Sequence, residues 1–408
     1  MTYAEHHVRA ADVAVVGAGP AGATAATFLA RSGVNVLVLD QAAFPRAKPC
    51  GDCLGYHAVD VLERMGLGDW LRNGDHNACQ RFLLKSPDGS SALVPVPADA
   101  VGHSYTVPRE ILDARLVEAA VDAGARFLPE TRALGLQRLD DDRVEVIGQR
   151  REERVRYVVP LVIAADGGAA TFTRALDLAV RPPELVAVRA YYEGATGDPH
   201  QFEIHWERSV LPGYGWLFPI DGDRINVGLG ALTRDVVRQR LNLKAMLETF
   251  AERNAFACER LEGARRVTPI VGRSLRADAP EVTPCADNVL VVGEAAGLVN
   301  PLSGDGIAQS MVSGEMAAEY AQSALEQGRF TLEGLAEYGR MFHAHFDRLH
   351  RSARTVRAMV NRPWILNLAI RTASRDTAYA TALACVLIGQ EQPSALFKPG
   401  TVLKLLRG

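Results

Sequence analysis

Val13-Ala-Val-Val-Gly17-Ala-Gly19-Pro20-Ala21-Gly22-Ala-Thr-Ala-Ala26 is the stretch whose reading decides the fold. Val13 to Val16 is a short apolar run that reads as a buried parallel strand, and Ala21 to Ala30 resumes at helical spacing after three glycines. Gly17 permits the tight turn, Gly19 lets the backbone approach a pyrophosphate, and Gly22 lets the helix pack closely on the strand. Free N–H groups and the helix dipole then face the phosphates. A second apolar run, Asn35 to Leu39, ends in Asp40, about 20 residues beyond the glycines, where the ribose-binding acid of this fingerprint belongs. The stretch predicts a dinucleotide-binding fold.

The 408 residues are enough for two domains with a deeply buried cofactor. A share of 48% hydrophobic and 23% charged residues is that of an ordinary globular protein. The net charge of −3 gives no basic field, so nucleic acid is not expected as a partner. Met1 to Asp12 carries no signal-peptide pattern, and no apolar run is long enough to span a membrane. Six cysteines without a disulfide framework suggest a reducing, cytoplasmic setting.

Gln41 to Gly55 holds Pro45, Arg46, Lys48, Pro49, Cys50, Gly51, Asp52 and Cys53, a loop of fixed shape leaving a strand end near the cofactor. Tyr56 to Met65 reads as a helix, and Arg81 to Val96 as a hairpin turning at Pro87-Asp88-Gly89-Ser90. Arg109 opens a helix running to Ala123 with Ile111, Leu112, Ala114, Leu116, Val117 and Ala120 on its apolar face. A cation in that first turn either serves an external anion or is simply solvated. Strands follow near Phe127 and over 133–138, 143–147 and 154–159, with a turn at Asp140-Asp141-Asp142. Leu161 to Ala164 is another buried strand, and 186–192, 201–207, 213–219 and 224–230 read as antiparallel. Thr233 to Arg253 has helical period, Asn288 to Val292 is a last parallel strand, Ile307 opens a long helix, and everything beyond Phe330 is helical.

Three strand ends carry small residues with one acid: Gly17 to Gly22 with Asp40, Ala165-Asp166-Gly167, and Gly293-Glu294-Ala295. Such ends converge on one crevice. A nicotinamide enzyme needs only the first, whereas a flavin nucleotide held along its length uses all three. Pro301-x-x-Gly304-x-Gly306 aims a helix start at the same place, where its dipole suits a reduced flavin.

Gly17-x-Gly19-x-x-Gly22, Arg109, Ala165-Asp166-Gly167 and Gly293-x-Ala295 resemble the para-hydroxybenzoate hydroxylase superfamily of FAD enzymes. Pro45-Arg46-x-Lys48-Pro49-Cys50-Gly51-Asp52 and Gly213-Tyr214-Gly215-Trp216-Leu217-Phe218-Pro219, with Gly228-x-Gly230, look like the geranylgeranyl reductase family. That resemblance implies FAD and hydrogenation of isoprenoid C=C bonds. It places Cys50 beside the isoalloxazine and Tyr214, Trp216 and Phe218 in the pocket beneath. His57, just past the Cys50 loop in sequence, is expected to reach the same pocket. Alternation along a strand does put those three aromatics on one face, although such a stripe taken alone is ordinary core. Glu294 stands where the family usually has aspartate, and Cys53 where relatives commonly have glycine. Without a thioredoxin-like context, Cys50-Gly-Asp-Cys53 reads as a reshaped pocket rather than a redox pair.

The expected architecture is therefore α/β: a Rossmann-like FAD-binding domain (1–78, 101–182 and 276–330), an antiparallel β-sheet substrate domain (79–100 and 183–275) and a C-terminal helical region (331–408). Cys50 is the first candidate for flavin tuning or proton relay and Tyr214 the second. The expected partners are an apolar small molecule and an external donor, NAD(P)H or reduced ferredoxin. Rival activities are a flavin monooxygenase acting on an aromatic or polyketide product and a redox-neutral, FAD-containing cyclase. Halogenation is disfavoured, because 213–219 lacks the paired-tryptophan motif of flavin halogenases. His343, His345 and His350 lack ligand spacing and read as a solvated helix, not a metal site. Arg354 to Arg371, with Val356, Met359, Val360, Trp364, Ile365 and Leu368, reads as core packing, with peripheral contact to a membrane surface as the alternative.

Overall fold

The computed structural model describes residues 8–100, 102–139, 142–178 and 181–407. The N-terminal residues 1–7 and residues 140 and 141 of the predicted Asp-rich turn lie outside the described residues.

The buried runs of the sequence become a six-stranded sheet in the order Cys285–Ala286, Val289–Val291, Leu161–Ala164, Val13–Val16, Val36–Leu39, Arg126–Leu128. All its pairings are parallel except the first. The two central strands, Val13–Val16 and Leu161–Ala164, are buried at every residue, as a sheet covered on both faces requires. They flank the point where the chain's progress across the sheet reverses, and their carboxyl ends open into the crevice where such folds bind ligands. The helix Pro20–Arg31 follows directly from the first strand and packs against the long helix Ile307–Gln327.

An outer sheet pairs Val8–Ala10, a strand that the sequence did not reveal, in parallel with Glu153–Val159, followed by Val144–Arg150 and Thr131–Arg138. The large sheet runs Arg265–Arg266, Leu185–Glu193, Arg224–Leu232, Gly215–Asp221, Gln201–His205, Arg81–Lys85, Ser91–Pro95, and Val271–Leu275 also pairs with Leu185–Glu193. One of its junctions is not antiparallel. Gln201–His205 pairs in parallel with Arg81–Lys85, which joins the early hairpin to the later meander. Alternation gives this sheet two dry faces. Leu217, Ile225, Val227 and Leu229 meet the helix Leu243–Arg253, whereas Phe82, Phe202, Trp216 and Phe218 meet the C-terminal helices.

The C-terminal region is helical throughout: Leu332–Val360, Pro363–Arg375, Thr377–Leu387 and Pro399–Arg407. Its first helix corrects one expectation. His350 is fully buried rather than solvated, with neither ring nitrogen hydrogen-bonded among the described residues. The core reading of Arg354 to Arg371 also needs dividing. Val356, Leu366 and Ile370 are buried, but Trp364 is 64% exposed and Met359 lies at the surface too. In the helix Arg109–Asp122, Ile111 turns outward while Leu112, Leu116, Val117 and Ala120 pack inward. No helix among the described residues is long and apolar enough to cross a membrane.

Candidate active site

Gly17 adopts φ +105°, and a Cβ there would lie 2.3 Å from the Ala165 carbonyl oxygen. The first two glycine turns thus touch, and only glycine fits between them. The helix Pro20–Arg31 starts behind an extended Gly19 with no capping side chain, so its first amides are left for a ligand. Gly19, Pro20 and Ala21 line a cavity at this point, and a Cβ at Gly19 would stand 3.7 Å from the Arg46 guanidinium. Asp40 accepts hydrogen bonds from the Ala18 and Ala42 amides, both 2.8 Å, which ties the glycine turn to the next strand. Gly22 sits behind this turn, packed on the Gly17 carbonyl.

Arg109 is buried, so the solvated reading fails. Its guanidinium grips Asp113 one turn later through Nε (2.7 Å) and Nη2 (2.6 Å). Arg46 pairs with the same carboxylate at 3.1 Å. Asp113, which sequence reading missed, is fully buried between two arginines and orients both beside the cavity. Lys48 and Arg273 approach the Gly167 turn from the other side. The Asp166 carboxylate folds back, accepting the Phe172 amide (2.8 Å) and the Thr173 amide (3.3 Å), so this turn faces the cavity through Ala165 and Gly167.

At the third turn Glu294 pairs with Arg273 at 2.6 Å, and its other oxygen is buried without a hydrogen-bond partner among the described residues. Burial pushes this carboxyl upward, with Arg273 opposing. Gly293 backs the turn, donating its amide to Ser313 Oγ at 2.9 Å. Pro301, Gly304, Asp305 and Gly306 continue the wall to the start of Ile307–Gln327, where Asp305 Oδ1 accepts the Ile307 and Ala308 amides.

The next part of the cavity is built by the loop Cys50-Gly51-Asp52-Cys53 against the strand Gly215–Asp221. Trp216 stacks on Phe218 (6.2 Å between ring centroids, 27°), and Gly51 lies against both rings. Trp216 sits this close because its cross-strand partner is Gly228, where a Cβ would stand 2.0 Å from the indole. Tyr214 continues the same face and donates its hydroxyl to the Ser303 carbonyl. Burial raises the Cys50 thiol to about 11, with Arg109 opposing, and Cys53 to about 12. Both are free thiols.

Sequence reading missed the residues that lock this loop in place. Asn226, fully buried, accepts the Trp216 indole N–H (3.0 Å) and donates to the Cys50 carbonyl (2.8 Å) and to Asp52 Oδ2 (2.7 Å). The Tyr191 hydroxyl donates to the same Asp52 oxygen at 2.6 Å. Arg189 lies over the Tyr191 ring, 4.1 Å from its centroid.

Beyond the aromatics the cavity turns apolar, walled by Ile204, Leu366, Ile370, Leu383, Leu387 and Leu396. The C-terminal helices therefore close the apolar end, and the Tyr56 amide donates to the Ile388 carbonyl at 2.7 Å, joining them to the residues just after the Cys50 loop. His57 is not part of this pocket. Its helix buries Ala58, Val59, Val61 and Leu62, and this phase turns His57 outward, exposed.

The arrangement fits FAD. Free helix amides, a glycine face opening to a guanidinium and an orphaned acid at the third turn follow one another along a single cavity that ends in an aromatic wall. Comparison with known proteins agrees. The FAD binding domain family matches residues 10–201. The chain is 35% identical over 343 residues to menaquinone reductase of Mycobacterium tuberculosis, covering 81% of each chain. It is 33% identical to digeranylgeranylglycerophospholipid reductase of Methanocaldococcus jannaschii, covering 83% of this chain and 84% of the other. Among solved structures, a geranylgeranyl bacteriochlorophyll reductase-like protein of Thermoplasma acidophilum superposes with a TM-score of 0.80 at 23% identity, covering 96% and 99% of the two chains. The flavin-dependent brominase Bmp2 shares the fold at 16% identity and a TM-score of 0.78, covering 98% and 100%. These structural likenesses speak for the fold, and the sequence relatives for the family: the chain belongs to the geranylgeranyl reductase family of FAD-dependent oxidoreductases.

Proposed function

We propose that this oxidoreductase saturates C=C bonds of an isoprenoid-like apolar substrate. The observation that carries the reading is one continuous cavity, cofactor-binding at Gly19 and apolar at Leu366 to Leu396, with Cys50, Tyr214, Trp216 and Phe218 at the junction. FAD, reduced by an external donor such as NAD(P)H or ferredoxin, supplies a hydride when bound. Gly17 to Gly22, Asp40, Arg46, Lys48 and Arg109 hold its nucleotide half. Glu294 and the Pro301–Gly306 segment hold the flavin half. The aromatic strand orients the alkene and the C-terminal helices keep it dry, which matters because isolated alkenes are poor electrophiles. Residues 79–100 and 183–275 supply the sheet and residues 331–408 the cover of the substrate end.

The test is anaerobic. Enzyme reduced with dithionite is mixed with menaquinone or digeranylgeranylglycerophospholipid, the compounds in the relatives' names, and the product is weighed by mass spectrometry. After the enzyme is quenched and any quinol is reoxidised to the quinone, a gain of two hydrogens without oxygen supports the reading. A gain of oxygen only in air indicates a monooxygenase and an unchanged mass a cyclase, and either sinks it.

Peripheral membrane contact is part of the proposal. From Arg348 to Arg407 ten Lys or Arg face two acids, against a whole-chain charge of −3. Met359, Trp364, Phe397 and Leu403 are exposed on these same helices, which also wall the cavity. Basic charge with exposed apolar anchors suits an anionic lipid surface. Co-sedimentation with phosphatidylglycerol vesicles that exceeds that with phosphatidylcholine vesicles is expected, and equal recovery with both would refute it.

A further inference from the structure

Saturating an alkene needs a proton as well as a hydride, and the groups around the junction differ in their fitness to give one. Burial holds Cys50 near 11 and Cys53 near 12, and it raises Tyr214, whose hydroxyl is already engaged with Ser303. Two carboxyls at the cavity wall remain, Asp52 and Asp305, both raised by burial to about 6. Each has one oxygen that accepts two hydrogen bonds favouring the ionised form, Asp305 from the Ile307 and Ala308 amides and Asp52 from Tyr191 and Asn226. Asp52 differs in its place. It lies in the loop against the aromatic wall, its side chain is fully buried, and its Oδ1 has no partner among the described residues. Its backbone is left-handed, φ 62°, between Gly51, which lies on the aromatic wall, and Cys53. Such a placement at a cavity points to use.

The charged and titratable groups facing Asp52 come from every neighbouring element: Tyr191 and Arg189 from Leu185–Glu193, Arg109 from the helix Arg109–Asp122, and Cys50 and Cys53 from its own loop. Tyr191 is only partly buried, and its hydroxyl is bonded to Asp52.

We propose that Asp52 is the proton donor of the reduction, positioned by Asn226 and recharged through Tyr191. This rests on the alkene-saturating reading above. The C=C π bond breaks, and one carbon takes a hydride with its electron pair from the reduced cofactor while the other takes the Asp52 proton. Two C–H bonds form, and Asp52 is left as a carboxylate that regains its proton from solvent along the Tyr191 hydroxyl.

The experiment uses enzyme reduced before mixing and whichever of the two substrates the wild type saturates. If the wild type saturates neither, the functional reading has failed. If it does, the variants decide this inference. Asp52→Asn is expected to keep FAD binding but lower the single-turnover rate by roughly a hundredfold. The wild-type rate falls as pH rises through the Asp52 titration, and that limb disappears in Asp52→Asn. Tyr191→Phe removes a bond to the carboxylate, which raises the acid's pKa, so the limb moves to higher pH. A separate readout is the flavin midpoint potential, whose slope against pH bends in the wild type and runs straight in Asp52→Asn. Asp52→Asn with the wild-type rate and limb, or Tyr191→Phe with an unmoved limb, would each overturn the assignment.

Discussion

Asn226 uses both ends of one amide to hold a backbone carbonyl, a carboxylate and an indole in fixed relation. Asn226→Ala leaves the Cys50 carbonyl and the Trp216 N–H buried without partners, at a cost of about 2–4 kcal/mol. Urea midpoints should show it. Asn226→Asp should be worse, because an acceptor then faces two acceptors. The aromatics of this site were legible because Tyr214, Trp216 and Phe218 repeat at strand spacing, whereas Asn226 is one amide whose meaning appears only when Gly215–Asp221 pairs with Arg224–Leu232 and sets it opposite Phe218. A trace was there: between the apolar Ile225, Val227 and Leu229, the alternate positions are Asn226, Gly228 and Gly230, an inward face with one polar group. Asp113 left less trace, since a carboxylate one turn after an arginine is the commonest of surface pairs. His57 failed for the opposite reason: nearness in sequence to the reactive loop says nothing about helix phase.

Among elements, the glycine-loop helix Pro20–Arg31 depends on a contact made almost 300 residues later. Gly314, within Ile307–Gln327, is so close to the first helix that a Cβ would lie 2.2 Å from the Ala21 carbonyl oxygen. Gly314→Ala improves helix propensity by up to about 1 kcal/mol, so propensity alone predicts stabilisation. The contact predicts the reverse, because the clashing atom is backbone and cannot rotate aside. Loss of at least about 2 kcal/mol in urea unfolding, together with weakened FAD binding at Gly19 to Gly22, is expected. The parallel strands themselves were plain in the sequence as unbroken apolar runs. The parallel junction of Gln201–His205 with Arg81–Lys85 was not, since alternation shows which face a residue takes and not which neighbour its strand will find.

For the whole molecule, acid stability divides between groups of opposite sign. Burial lowers His350 to about 4, with Arg354 adding to the shift, whereas an unfolded histidine titrates near 6.5. Between these values the unfolded chain binds the extra proton, so stability falls as pH drops from about 6.5 to about 4, by about 3 kcal/mol in total. Asp52 and Asp305, raised to about 6, run the other way: ionisation costs the folded state, so they favour folding as pH falls from about 6 toward 4. His350→Leu removes the histidine contribution, so its urea midpoint should drop less than the wild type's between pH 7 and pH 4.5. An equal drop in both would place the acid sensitivity elsewhere.

The hydrogen bond from the Tyr56 amide to the Ile388 carbonyl joins the loop at the flavin end to a helix at the apolar end. Two ligands sharing one wall are thermodynamically linked, and the coupling must be reciprocal. A polyprenyl chain that orders Thr377–Leu387 and the segment after it also steadies the loop leading from Cys50 to Tyr56, so it should tighten FAD by the same factor by which FAD tightens the chain. Removal of the C-terminal helices would then be felt first as a weaker hold on a cofactor they do not cover.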